Sequence, residues 1–163
     1  ALVEQMGDLC QELGKIDERI YTDNPIVDSV LRIKFGLAKS EGIEIDTAVR
    51  IPRQMQLERG DIGVLYGNLL DNAIEACRKV PEGKRFIRLE NKYQSGKLLL
   101  VITNSKTMEK NESLKTTKKD SYSHGRGILS VQRVAEKYNG TAGFTDKGEA
   151  FEASIMFYGI EVG

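Results

Sequence analysis

The sequence predicts an α/β sandwich: a mixed β-sheet with helices packed on one face, preceded by an amino-terminal helix of the dimerising type. Three observations predict it. Apolar residues recur at helical spacing over Ile26 to about Lys39, Asp61–Val80 and Gly127–Tyr138. Strand-like runs lie between and after them, at Ile43–Pro52, Phe86–Tyr93, Leu98–Thr103, Thr141–Thr145 and Glu149–Phe157, mostly in hairpin-sized pairs. Leu2, Met6, Leu9, Leu13, Ile16 and Ile20 alternate spacings of four and three, a heptad seam.

Each element has its own local reason. The heptad seam fits either an amphipathic helix on its own domain or the end of a dimerising coiled coil, and its unbroken spacing favours the second. The division expected is therefore residues 1–21 as the last helix of a dimerisation region and residues 22–163 as the main domain. Asn24-Pro25 reads as an N-cap with Pro at the first helical position, and Ser40-Glu41-Gly42 as the stop. Pro81-Glu82-Gly83 ends the next helix. Gln94-Ser95-Gly96-Lys97 turns a hairpin whose second strand, Leu98–Thr103, is continuously apolar, hence central and buried on both faces. Asn104–Gly127 is polar and long for a loop in a compact domain, which marks a functional or disordered segment. Asn139-Gly140 closes the last helix, and Asp146-Lys147-Gly148 turns the final hairpin.

Composition narrows the class of partner. The 163 residues are 40% hydrophobic and 29% charged with zero net charge, a globular balance that gives no nucleic-acid or lipid surface. No apolar run is long enough to span a bilayer. Two cysteines, Cys10 and Cys77, make neither a disulfide framework nor a metal cluster, and a reducing compartment fits them. The chain opens at Ala1 inside a helical pattern. The expectation is a fragment of a longer protein.

The chemistry concentrates in two places. In YGNLLDNAIEACR (Tyr66–Arg78), Asn68, Asp71, Asn72 and Glu75 share one narrow arc of the helix, beside an apolar arc of Ile62, Leu65, Leu69, Ala73, Ala76 and Cys77. A solvated face would normally use Glu, Lys or Arg, which favour helix more than asparagine does. Amide oxygens and a carboxylate at i, i+4 spacing suit a hard cation such as Mg²⁺, whose remaining positions go to water and phosphate. The second place is His124-Gly125-Arg126-Gly127-Ile128-Leu129, glycines at a helix start, where backbone N–H groups and the helix dipole receive phosphate.

These motifs, in this order, resemble the ATP-binding catalytic domain of sensor histidine kinases, of the GHKL (Bergerat-fold) superfamily shared with DNA gyrase and MutL. The peptide-pheromone (quorum-sensing) receptor kinases look most alike. NLLDNAIEA matches the N box, ITNS stands where the first glycine box belongs, and HGRGIL matches the second; the match runs from about Asn24 to Phe157.

The resemblance implies ATP and Mg²⁺ as ligands, with Asn72 as metal ligand and Asn68 helping to bind metal or phosphate. Asp71 and Glu75 are further candidates on the stripe. Hydrolysing relatives carry glutamate four residues before the metal asparagine; Asn68 stands there and cannot be a general base, which suits phosphoryl transfer rather than hydrolysis. Asn104 replaces the usual aspartate that binds the adenine amino group; its amide oxygen still accepts such a bond, or it is simply a strand-ending turn residue. The ATP lid falls at about 105–124, with Lys118 the phosphate candidate. Tyr122 either covers the ribose or adenine or anchors the lid, and Arg126 reaches a phosphate or points to water. His124, Gly125, Gly127 and Ile128 complete the nucleotide site.

By the same resemblance the phosphoacceptor is a histidine on an adjoining helix, outside this fragment or in the partner of a homodimer, and a response regulator follows. His124, the sole histidine, is not at the acceptor position. Two alternatives stand beside this reading: a serine protein kinase of the anti-sigma-factor type, and an inert nucleotide-binding or scaffold module.

Overall fold

The computed structural model describes residues 16–108 and 121–162, with the backbone alone given for 121–126. The elements are α1 (Pro25–Ser40), β1 (Glu44–Arg50), α2 (Arg59–Arg78), β2 (Phe86–Gln94), β3 (Lys97–Ser105), α3 (Ser121–Lys137), β4 (Thr141–Asp146) and β5 (Ala150–Phe157). The strands form one sheet in the order β1–β2–β3–β5–β4, β1 parallel to β2 and the other neighbours antiparallel. The expected mixed sheet with helices on one face is the observed architecture.

Local chemistry explains the element ends. The Asn24 side chain accepts from the Val27 N–H at 3.2 Å and Pro25 takes the first helical position, so α1 starts where its cap allows. The β2–β3 turn is tighter than expected, because Gln94 and Lys97 still pair across the hairpin. Only Ser95 and Gly96 turn, at φ 50° and 81°, the mirror-image geometry that matches strand twist. After α3, Gly140 is required by close approach: a Cβ there would lie 2.5 Å from the Met156 carbonyl oxygen.

The core is the layer between sheet and helices. Leu98, Leu100 and Ile102 of β3, Ile87 and Leu89 of β2, and Ala153, Ile155 and Phe157 of β5 face Leu65, Leu69, Leu70, Ala73 and Ile74 of α2 and Val27, Leu31 and Phe35 of α1. Burying such a surface is the main stabilising term.

Four expectations are corrected. β3 is central but covered on one face only: Leu99 and Val101 are half-buried by their strand neighbours, because no second helical layer exists among the described residues. α2 begins two residues before Asp61 and ends two before Val80, although Val80 stays buried in the turn. α3 begins at Ser121, not Gly127, so Gly125 and Gly127 lie inside the helix and beyond its first turn. The heptad reading extended a helix to Ile20, yet Ile16–Asn24 is an irregular strap along α1. Tertiary contacts override the spacing there. Asp17 N–H donates to the Arg32 carbonyl at 2.9 Å, the Arg32 guanidinium returns a bond to the Asp17 carbonyl at 2.8 Å, and Tyr21 packs on Phe35 at 5.1 Å between ring centres. The rest of the seam, Leu2 to Leu13, lies outside the described residues. Among the described residues, no helix is long and apolar enough to cross a membrane.

Candidate functional site

The site is built where α2 meets α3. α2 turns Leu65, Tyr66, Leu69, Ala73 and Cys77 to the core, which leaves Asn68 and Asn72 on its flank, partly shielded. Asn68 is tolerated in mid-helix because its amide nitrogen donates to the Val64 carbonyl at 2.8 Å, one turn back. That bond leaves its oxygen to face α3.

Gly127 of α3 stands directly over both amides. A Cβ at Gly127 would lie 3.4 Å from Asn72 Nδ2, 3.5 Å from Asn72 Oδ1 and 3.6 Å from Asn68 Oδ1. The two motifs thus meet in space, and the glycine leaves the space between backbone and amides open. Ile128 beside it is half-buried. The side chains of His124 and Arg126, the backbone amide environment of Gly125 apart from its place in the helix, and Lys118 with most of the lid fall outside what is described.

The Asp71 carboxylate does not join this convergence. Asp71 turns the other way and pairs with Lys34 of α1 at 2.7 Å. Together with Val30, Ile33, Gly63, Gly67 and Asn68 this pair lines a shallow groove of about 350 Å³ between α1 and α2. Glu75 is exposed. Lys34 was not singled out from the sequence, since nothing in the α1 pattern says which lysine will reach α2. Among the described residues no three His, Cys, Asp or Glu side chains are grouped to hold a metal.

Asn104 ends β3 on the helix-facing side, 4% exposed. Its amide nitrogen donates to the Ser105 carbonyl at 2.9 Å. Among the described residues no group donates to its oxygen, an acceptor on a buried side chain. Such an atom is costly unless a ligand or water satisfies it. Ser105 is held in turn: its hydroxyl accepts from the Phe86 N–H at 3.0 Å and lies 3.4 Å from Cys77 Sγ. Burial pushes the Cys77 thiol up, outweighing its hydrogen bonds, so it stays a neutral packing partner. Lys106, next after β3, is pinned to Asp146 at 2.9 Å and to the Gly148 carbonyl at 3.0 Å.

Cys77 therefore places the end of α2 beside Asn104. Asn72 and Asn68 lie five and nine residues back along the same helix, roughly 7.5 and 13.5 Å at 1.5 Å per residue. An acceptor at one end and paired amides at the other suit an elongated ligand lying along α2. At the far end of the α2–α3 contact sits a charged bracket: Lys137 Nζ lies 2.8 Å from Asp61 and 3.0 Å from Glu58, and the Tyr138 hydroxyl donates to Asp61 at 2.5 Å. Lys137 and Tyr138 hold the Asp61 carboxyl below its ordinary range.

The fold is an α/β sandwich with a candidate ligand site along α2. The family described as GHKL domain matches residues 57–158, and the chain belongs to that family, whose membership implies a site for ATP. No curated protein matches the sequence significantly. Solved structures share the fold of histidine-kinase catalytic domains at low identity. The catalytic domain of histidine kinase ThkA superposes with TM-score 0.65 at 15% identity, covering 83% of this chain and 91% of that one. Acinetobacter baumannii histidine kinase AdeS gives 0.61 at 16%, covering 96% and 80%. Full-length ShkA, solved in complex with AMPPNP, gives 0.66 at 14%, covering 89% of this chain and 32% of that one.

Proposed function

We propose that this domain is the ATP-binding catalytic part of a sensor histidine kinase, which holds Mg-ATP along α2 and presents the γ-phosphate to a histidine. The observation that carries the reading is the convergence of Asn68, Asn72 and Gly127 on one helix flank, with the buried Asn104 oxygen near the other end of that helix. Adenine carries an amino donor that the Asn104 oxygen can take. The amide oxygens of Asn72 and Asn68 fit a Mg²⁺ ion whose other positions go to phosphate and water. When bound, that ion neutralises charge on the transferring phosphoryl group. This chain's own residues bind and orient. Asn68, with its nitrogen tied to Val64, takes no proton from water, which favours transfer over hydrolysis.

The acceptor is a histidine on another segment or on a second copy, since the sole histidine, His124, lies within the glycine motif. The quorum-sensing branch, a homodimer, a response-regulator partner and a membrane-anchored parent with this domain in the cytoplasm remain part of the proposal on the sequence resemblance. Titration calorimetry tests it. ATP should bind more tightly with Mg²⁺ than without, and ITP, which has a carbonyl where adenine has its amino group, should bind about tenfold or more weakly. Asn72→Ala should remove the Mg²⁺-dependent gain while the thermal transition stays near that of the parent. An absence of ATP binding would overturn the kinase reading and leave a scaffold. Unfolding of Asn72→Ala would make Asn72 structural.

A further inference from the structure

Before the Cys77 thiol in its last turn, the sheet-facing side of α2 is apolar except at one point. Tyr66, fully buried, donates its hydroxyl to Asn91 Oδ1 at 2.7 Å. Asn91 stands in the middle of β2, also fully buried, and its amide nitrogen donates to the Leu99 carbonyl of β3 at 2.9 Å. Burial pushes the Tyr66 phenol well above its ordinary value, so it stays a donor. An asparagine between Leu89 and Tyr93 on the inner face costs free energy unless fully bonded, and here both ends of its amide are used.

Apart from the Cys77 thiol, which meets the Ser105 hydroxyl and the Phe86 carbonyl at the helix's last turn, everything else holding α2 to the sheet is Ile62, Leu65, Leu69, Leu70, Ala73 and Ile74 against apolar side chains. Such contacts are non-directional. They fix that α2 lies on the sheet far better than they fix its position along its axis or its rotation about it. The Tyr66–Asn91 bond is directional, dry and anchored to two strands. Tyr66 precedes Asn68 by two residues and Asn72 by six, and the asparagines sit about 200° and 240° round the helix from it. A shift at the sheet side is therefore passed to the opposite flank by a rigid helix. Binding geometry is sensitive on that scale: displacement by about 1 Å can cost about a hundredfold in rate.

We propose that Tyr66 and Asn91 are positioning residues, a pin that sets the axial and rotational register of α2 so that Asn68 and Asn72 meet Gly127. This rests on the nucleotide reading for its functional consequence, but the pin itself does not require nucleotide. Two measurements separate the cases. The first is the ratio of ATP affinity with and without Mg²⁺, taken well below each variant's thermal transition. Tyr66→Phe should lower that ratio at least fivefold. The double variant Tyr66→Phe/Asn91→Leu replaces both polar partners by apolar groups, which should recover thermal stability, yet its ratio should stay low. The second is the NMR position of the Asn68 and Asn72 side-chain amides without nucleotide, which should move in both variants. Ratios within twofold of the parent and unmoved amide resonances in folded Tyr66→Phe would overturn the pin, leaving the bond merely structural; that single variant decides if the double one fails to fold. Failure of the parent itself to bind ATP would overturn the nucleotide reading instead, with the amide resonances still deciding the pin.

Discussion

The two ends of the α2–α3 contact are built on opposite principles. At one end Asp61, Glu58, Lys137 and Tyr138 form a bracket of charged and phenolic groups. At the other, Gly127 has no side chain to place between the two uncharged amides and α3. The bracket ties the end of α3 to the start of α2 and carries none of the candidate ligand groups. The glycine end carries them and forgoes a helix-favouring side chain, since glycine costs about 1 kcal/mol relative to alanine in a helix interior. Cohesion and the candidate ligand groups thus fall at different ends of the same pair of helices.

That contrast breaks most sharply at Gly127. Gly127→Ala adds a methyl that meets Asn72 at ordinary contact distance, 3.4 Å, and so fits the fold. The helix gains propensity, and the thermal transition should stay constant or rise. The same methyl occupies the space over both amide oxygens, so affinity for Mg-ATP should fall at least tenfold by calorimetry. Unchanged affinity would mean that Asn68 and Asn72 do not face the ligand. The mirror experiment is Asp61→Ala. It strips Tyr138 and Lys137 of a shared, mostly shielded acceptor and should cost about 1–2 kcal/mol, a fall in Tm of about 2–4 °C per kcal/mol for a domain of this size. Mg-ATP affinity should remain within twofold. A large loss of affinity there would show that the two ends are mechanically coupled.

What was legible in the sequence follows the same division. Asn68 and Asn72 stood out because helical periodicity and the rarity of mid-helix asparagine are both local facts. Their meeting with Gly127 followed from motif order. Asp71 was not separable from them, because it shares their arc, and only the packing of α1 decides that it faces Lys34. The start of α3 was misplaced because Ser121–Arg126 is poor in helix formers and gives no apolar period. The heptad spacing ran on through Ile16 and Ile20, but contacts of Asp17 and Tyr21 with α1, distant in sequence, decide that segment's path. Asn91 did not stand out, because β2 also carries Arg88, Glu90, Lys92 and Gln94, and its pairing with Tyr66 exists only in three dimensions.

The strap offers the finest test, because it too is anchored by a carboxylate. Burial raises the Asp17 carboxyl, but hydrogen bonds from Lys39, Tyr21 and the Arg19 N–H win and bring it down to about 2. Asp61 is lowered as well, by Lys137 and Tyr138. A carboxyl whose folded pKa lies below its unfolded one contributes stability above the ordinary range, near 4, and loses it as pH falls towards the folded value. The Asp17 anchor should therefore weaken between about pH 5 and pH 2, and the Asp61 anchor as pH falls below the ordinary carboxylate range. Asp17→Asn and Asp61→Asn should each flatten the fall of unfolding free energy over its own range, measured by urea titration at stepped pH. The two effects should add, since the strap and the bracket share no partner. A slope in Asp17→Asn equal to the parent's would show that Lys39 and Tyr21 hold the strap without its charge. An Asp61→Asn slope equal to the parent's would move cohesion away from the bracket and back into the apolar layer beneath α2.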